Sequence, residues 1–363
     1  MAVFHSQSIL STSSLPQEPT VSLKVSTLSQ DDYAAWDEYV IRNAHGTPFH
    51  LIAWKKTIEE SFYYKPHYLI ARDQSIRGIL PLFFVHNAVI GKALISSPFA
   101  VYGGILADSK EAHRMLFDRA KALGEQLRVD YIELRNWNRE QCVGEPNVSR
   151  YVAFHQELGM DEAALLASLP KKTRNMVRKS QKTPFTTRYG QRDAAILDQV
   201  HARNMRRLGT PNFPRRYFDR LLANFNEMAE IREVWLRDVP VAVSLNFFFK
   251  NCMHTYHAAA DTRYNALEPN TYMYFDHLCW ASISGYKVFD FGRSKRDTGA
   301  FHFKKHWNTT ILELPYQIVL IKRKSLPNFS PANPKFSWAI HLWKHMPMPI
   351  ARALSARILP MFP

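Results

Sequence analysis

Apolar positions recur at helical spacing in two stretches near the start of the chain. Asp31 to Asn43 carries Trp36, Tyr39 and Val40 on one face, and His50 to Phe62 carries Trp54, Ile58 and Phe62, so both predict amphipathic helices. Shorter apolar runs at His67 to Ala71, Ile79 to Val85 and Val89 to Ile95 have the length and composition of strands. A helix over Glu111 to Arg128 and a strand at Tyr131 to Leu134 follow, and Tyr151 to His155 is expected to close this half. The second half repeats the order. Ala194 to Leu208 and Arg215 to Met228 read as paired helices. Strands are expected at Ile231 to Leu236, Val241 to Phe249 and Met253 to Ala260, with a hairpin turn at Lys250-Asn251. A helix from Asn270 to Ser284, a strand at Val288 to Phe291, a short basic helix and a strand from Leu312 to Ile321 complete it. The duplication is one of element order without a residue-level repeat, and it predicts two related α/β domains with mixed sheets.

The resulting division is a loose leader at 1–24, a first domain at 25–165, a basic linker helix at 166–184, a second domain at 185–325 and a C-terminal extension at 326–363. The leader is rich in Ser, Thr, Gln and Pro. The linker, Pro170 to Lys182, contains no acid and sets Arg174, Arg178 and Lys182 at i, i+4 and i+8. Like charges at that spacing repel by a few tenths of a kcal/mol, roughly. The stripe reads either as a solvated face or as a contact for an anion, with Arg174 and Arg178 as the ligands. From Leu314 to Pro363 there is no Asp or Glu, and Lys and Arg alternate with Trp338, Trp343, Ile350, Leu354 and Ile358. That extension is expected to pack back on the domain; a peripheral contact with anionic lipid is the alternative.

Charge and composition narrow the classes. The 363 residues carry 47 Lys and Arg against 32 Asp and Glu, a net +15, which favours anionic partners such as nucleic acid, phosphorylated metabolites or an acidic membrane surface. Three widely spaced cysteines suggest neither a disulfide framework nor a zinc ribbon. The N-terminus lacks a basic region leading into a long apolar stretch, and Ile79 to Gly104 is broken by Pro81, His86, Asn87, Lys92 and Pro98. Neither a signal peptide nor a membrane span is predicted, and the expected location is cytoplasmic.

Chemistry concentrates in one segment. Phe289-Asp290-Phe291-Gly292-Arg293-Ser294 reads as a strand ending in a polar turn, and Phe301-His302-Phe303-Lys304-Lys305-His306-Trp307 as an aromatic and basic helix. A metal site fits poorly, because the lysines between His302 and His306 would repel a cation. His254 and His257 are an odd number of positions apart on a predicted strand and are expected on opposite faces, as packing residues. No Gly-x-Ser-x-Gly elbow, dinucleotide glycine loop or Walker loop is present. The nearest approach to a coenzyme A pyrophosphate turn, Arg206 to Pro211, ends a helix and contains a proline. What remains is group transfer to an amine. That reaction needs cations for anionic substrates, a group for the developing oxyanion and an acceptor for the amine proton. Lys304 and Lys305 could serve the first two needs, and Asp290 or a tyrosine the third. One of the two adjacent lysines is expected to face water.

Asp290-Phe291-Gly292-Arg293-Ser294, Thr298-Gly299 and Phe303-Lys304-Lys305-x-Trp307 together resemble the C-terminal signature of FemAB-related proteins, the double acetyltransferase-fold (GNAT-like) relatives of the peptidoglycan bridge enzymes. Thr47-Pro48-Phe49-His50, Ser96-Ser97-Pro98-Phe99, Ile132-Glu133-Leu134-Arg135, Asn204 to Pro211 and Pro269-Asn270 are similar to the subgroup associated with exosortase/PEP-CTERM and exopolysaccharide gene clusters. The resemblance covers residues 25–345. It implies two tandem GNAT-like domains and transfer of an acyl or aminoacyl group to an amine of an anionic cell-envelope precursor, of exopolysaccharide or peptidoglycan type. The donor would be aminoacyl-tRNA or acyl-coenzyme A, and tRNA would then be a partner. The resemblance puts Lys304 at the reacting centre. Arg293, Ser294 and Lys305 are expected to hold an anionic portion, with Tyr256 and Asn270 as further pocket residues. Two departures stand out: Asn308 replaces the glycine that commonly follows the Trp, and the helical arm of the bridge enzymes finds no room. Two other classes stay open: an acetyl-coenzyme A-dependent N-acyltransferase with an atypical pyrophosphate loop, and a non-catalytic module binding RNA or membrane.

Overall fold

The computed structural model describes residues 22–144, 147–148, 151–327 and 334–363; most of the expected leader lies outside them. The first half runs β1 (Lys24–Thr27), α1 (Tyr33–Arg42), α2 (Ile52–Phe62), β2 (Lys65–Pro66), β3 (Leu69–Arg72), β4 (Ile76–Leu80), β5 (Leu82–Asn87), β6 (Gly91–Ser96), β7 (Leu106–Ala107), α3 (Lys110–Gln126), β8 (Tyr131–Leu134) and β9 (Tyr151–Glu157). Helices α4 (Glu162–Ser168) and α5 (Lys171–Gln181) connect to the second. That half comprises β10 (Phe185–Gln191), α6 (Ala195–Leu208), α7 (Arg215–Phe225), β11 (Ala229–Leu236), β12 (Val239–Phe249), β13 (Cys252–Ala260), α8 (Pro269–Ile283), β14 (Val288–Lys295), α9 (Gly299–Lys305), β15 (Thr310–Glu313) and β16 (Gln317–Leu320). Helices α10 (Pro334–His345) and α11 (Met348–Ile358) end the chain.

Local chemistry explains the boundaries. Ser109 caps α3, its side chain accepting from the Ala112 N–H. Gly209 ends α6 in the left-handed region at φ 79°, and Pro211 prevents its continuation. The run expected as one strand from Ile79 to Val85 is divided at Pro81, which has no N–H for a ladder, so β4 and β5 enter different sheets.

The strands form sheets of order β1-β3-β4-β7, β16-β8-β6-β5-β2 and β10-β11-β12-β13-β14-β9-β15. Each of the two larger sheets contains one parallel pair, β6 with β8 and β13 with β14. Beside β8 and β14 lies a strand from the other half of the chain. Tyr151–Glu157, expected to close the first half, instead sits antiparallel between β14 and β15 in the second sheet. The single strand expected from Leu312 to Ile321 is split at Pro315. Its first part, β15, stays in the second sheet, while β16 crosses to pair antiparallel with β8. Buried Leu314 and Tyr316 anchor the crossing. The halves therefore exchange their last strands, which alternation within a strand does not reveal.

Of the two readings of the C-terminal extension, packing is the one observed. Arg206 donates to the Met346 carbonyl (2.9 Å), the Asn212 N–H to Ser355 Oγ (3.0 Å), and Arg352 pairs with Asp198 (2.8 Å). Among the described residues no helix is long and apolar enough to cross a membrane.

Candidate active site

Strands β13 and β14 run parallel through the pairs Cys252–Val288, Met253–Phe289 and His254–Asp290, and no further. Beyond Asp290 the register of β14 shifts, with Gly292 at φ 72°. A left-handed residue here requires glycine or a strained substitute. The parallel ladder ends at this point, and α9 reaches the β14 backbone through Lys304.

Helix α9 is fixed at both ends. The Thr298 side chain accepts from the Phe301 N–H, while Phe301 and Trp307 are buried. The Phe303 and Trp307 rings pack against Tyr274. The turn after Trp307 places Asn308 at φ 57°. Asparagine, like glycine, enters that region readily, so the departure from the family pattern keeps the backbone path. This anchoring turns Lys304 inward and leaves Lys305 exposed. Lys304 Nζ donates to the carbonyls of Gly292 (3.2 Å) and Arg293 (3.1 Å). Burial lowers its pKa to about 8; the Asp290 carboxylate opposes that shift and the Arg293 guanidinium adds to it.

Asp290 is 2% exposed. Its Oδ1 accepts from the Gly292 N–H (2.7 Å), and its Oδ2 accepts from His254 Nδ1 (2.8 Å) and the Tyr102 hydroxyl (3.0 Å), with His155 Nε2 at 3.4 Å. Burial alone would raise the carboxyl pKa; His254 and His155 outweigh it and hold the group well below the usual carboxylate range. His254 turns its Nδ1 to this carboxylate, which leaves Nε2 on the side of the ring away from Asp290. That Nε2 is buried and has no partner among the described residues. A Cβ placed on Gly292 would stand 3.4 Å from the Thr255 carbonyl oxygen, 3.5 Å from His254 Nε2 and 3.9 Å from Lys304 Nζ. The imidazole and the ammonium thus converge on the Gly292 backbone from which a side chain is missing.

The other expected residues are distributed around this centre. Arg293 reaches the Tyr316 hydroxyl (3.1 Å) and lies over the Tyr151 ring. Ser294 is buried with its Oγ unpartnered. Tyr256 bonds Tyr217 (3.0 Å) and the Phe99 carbonyl (3.2 Å), its ring 6.1 Å from that of His254, and burial raises its pKa. Asn270 sits half-buried in the first turn of α8, and no side-chain contact among the described residues ties it to Lys304. Arg174 is half-buried and Arg178 exposed on α5, which Thr173 ties to the end of α9 through the His306 carbonyl (2.7 Å). Neither arginine pairs with a described acid.

His254 had been set aside by parity, and that expectation is corrected. The pairing of β12 with β13 skips between Leu245 and Asn246, leaving Tyr256 as an extra residue. A bulge restores two residues an odd number apart to the same face. His254 packs on Phe49 and Tyr102, and His257 on Tyr217 and Phe218, both toward the same cluster. Neither Tyr102 nor His155 is expected at the site from the sequence, although Tyr102-Gly103-Gly104 is part of the motif resemblance: strand exchange brings His155 on β9 beside Asp290, and Tyr102 reaches it from the segment between β6 and β7.

Residues 168–305, from the end of α4 to Lys305, match the family model described as an acetyltransferase (GNAT) domain. No curated protein matches the chain. Among solved structures, the crystal structure of FemX superposes with a TM-score of 0.65 at 15% identity, over 82% of this chain and 98% of that one. The C-terminal domain of a putative lysylphosphatidylglycerol synthetase from Agrobacterium fabrum gives 0.54 at 9% identity, over 91% and 96%. A tandem GNAT protein from the clavulanic acid biosynthesis pathway gives 0.52 at 9%, over 82% and 98%. The fold is a tandem pair of GNAT-like domains. At these identities the likeness to the solved structures is one of architecture, and it agrees with the duplicated element order.

Proposed function

We propose that the protein transfers an acyl or aminoacyl group to an amine of an anionic cell-envelope precursor. The observation that carries this reading is the convergence of Lys304 Nζ and the unpartnered His254 Nε2 on the Gly292 backbone, beside the Thr255 carbonyl. With the donor carbonyl there, Lys304 donates to the oxygen as the amine nitrogen attacks the carbon. The C–N bond forms, the C–S bond of a thioester or the C–O bond of an aminoacyl ester breaks, and the amine proton passes through His254 to the departing thiolate or alkoxide. Asp290, expected to take that proton itself, has both oxygens occupied in a buried site. It therefore acts here by orienting His254. Arg293 and the exposed Lys305 hold the anionic portion of a substrate, and Arg174 and Arg178 supply cations beside α9.

The cell-envelope part of the proposal rests on the motif resemblance, including its exosortase/PEP-CTERM subgroup, and on fold neighbours named as FemX and a lysylphosphatidylglycerol synthetase. The test is transfer of a labelled group, from acyl-coenzyme A or aminoacyl-tRNA, to an amine-bearing sugar or peptide precursor. Lys304→Ala and His254→Ala should each lower kcat by about 100- to 1,000-fold. Full activity in Lys304→Ala would reject the assignment.

A further inference from the structure

A cavity of about 490 Å³ lies between the five-stranded sheet, β9, β14 and the C-terminal helices. Ile95 and Ile318 line it from the first sheet, and Ile340, Trp343 and Leu359 from the C-terminal helices. Its wall is firmly seated, because a Cβ on Gly209 at the end of α6 would come within 2.5 Å of Ile340 Cγ2. Two guanidinium groups also reach this space. Arg135 is fully employed: it donates to Glu133 (2.8 Å), which lines the same space, to the carbonyls of Ser97 (3.1 Å) and Ala100 (3.3 Å), and to the terminal oxygen of Pro363 (2.9 Å). Arg293 is not. Among the described residues its one side-chain acceptor is the Tyr316 hydroxyl, which in turn donates to the Val101 carbonyl, and no carboxylate pairs with it. A cation without a counter-ion at the end of an apolar chamber is costly until an anion joins it. Its own backbone carbonyl holds Lys304 Nζ, so this end of the chamber adjoins the transfer site.

We propose that the cavity takes the hydrocarbon chain of an amphiphile whose anionic group sits on Arg293, so that one of the two transfer substrates is lipidic. This deepens the transferase reading and rests on it for the meaning of the head group's position beside Lys304. The outer face of α10 offers a route for such a chain. Trp338 is 69% and Leu342 55% exposed, one helical turn apart, and Lys344 lies beside them in a segment without acids. The same chemistry describes a membrane lipid and a soluble acyl donor.

The experiment is calorimetric titration of the full chain with hexyl, octyl, decyl and dodecyl phosphate. Affinity should rise about fourfold per methylene until the chamber is filled and then level off. Arg293→Gln should weaken alkyl phosphates while leaving the matching alcohols unchanged. Ala339→Phe, which fills the chamber from α10, should move the plateau to shorter chains. Affinity independent of chain length, or an unmoved plateau in a folded Ala339→Phe protein, overturns the proposal. Competition by lauroyl-coenzyme A alone assigns the chain to the donor; competition by phosphatidic acid vesicles alone assigns it to a membrane acceptor; failure of both overturns it. These are binding measurements, so chain binding without turnover would fault the transferase reading alone. Turnover on short soluble substrates without chain binding would fault this inference alone.

Discussion

Lys304 holds its proton at a measurable cost, and that cost can be read without any substrate. Burial, reinforced by Arg293 and opposed by Asp290, brings its pKa from the ordinary 10.5 to about 8. Below pH 8 the ammonium is charged in the folded and unfolded chain alike, and the penalty is fully present. As pH rises from 8 toward 10.5 the folded protein releases this proton first, so the unfolded state binds more protons and stability increases. Lys304→Met has no such proton. It loses the hydrogen bonds to Gly292 and Arg293 at every pH, which is a constant offset. Relative to this variant, wild type should gain about 2 kcal/mol between pH 7 and pH 9.5, from the two pKa values and linkage. The neighbouring Tyr102 and Tyr256 are raised by burial and do not titrate in that window. Urea unfolding of both proteins at a series of pH values gives the difference directly. A gap that stays constant from pH 7 to 9.5 would refute the reasoning, as would one that widens in the variant's favour. An anion bound at Lys304 should restore its proton, so phosphate binding near pH 8.5 should take up protons, seen as a buffer-dependent heat.

Two further perturbations probe the same architecture. Burial lowers the pKa of His50, His201 and His277 to about 4 each. The unfolded chain therefore binds protons first as pH falls below the ordinary 6.5, and stability should drop by about 2 kcal/mol per histidine at pH 5; a flat denaturation midpoint between pH 7.5 and 5 would contradict this. Gly292→Ala should cost about 1–2 kcal/mol from the left-handed backbone but remove nearly all transfer, because its methyl enters the space between His254 and Lys304. Transfer retained in proportion to folded protein would place the chemistry elsewhere.

Much of the element order is legible because it depends on local periodicity; most expected helices end within a residue or two of the observed ones, while α7 stops three residues before Met228 and α4 is not expected. That one of Lys304 and Lys305 faces water is legible from their adjacency, whereas the choice of Lys304 as the functional one comes from the motif resemblance and not from periodicity. What escapes is everything that depends on pairing between distant segments. His254 meets Asp290 through parallel register, and its face depends on a one-residue bulge at Tyr256. His155 and Tyr102 reach Asp290 from the first half. The strand from Leu312 to Ile321 has uniform β character, and its division at Pro315 reflects which sheet edge each part meets.

The exchange of last strands also constrains how the molecule can come into being. As the chain leaves the ribosome, β8 remains an open edge until Gln317–Leu320 has been made, half the length of the protein later. In the same way β9 waits for Val288–Lys295 before it has a partner strand. Neither half can finish folding alone, and a chain cut between them would expose a bare edge on each fragment, a template for association with other chains. Once closed, the two domains are stitched at two places on opposite sheets. Opening them like a hinged clamp would break a sheet ladder at each stitch, so the strand exchange holds the width of the chamber between them.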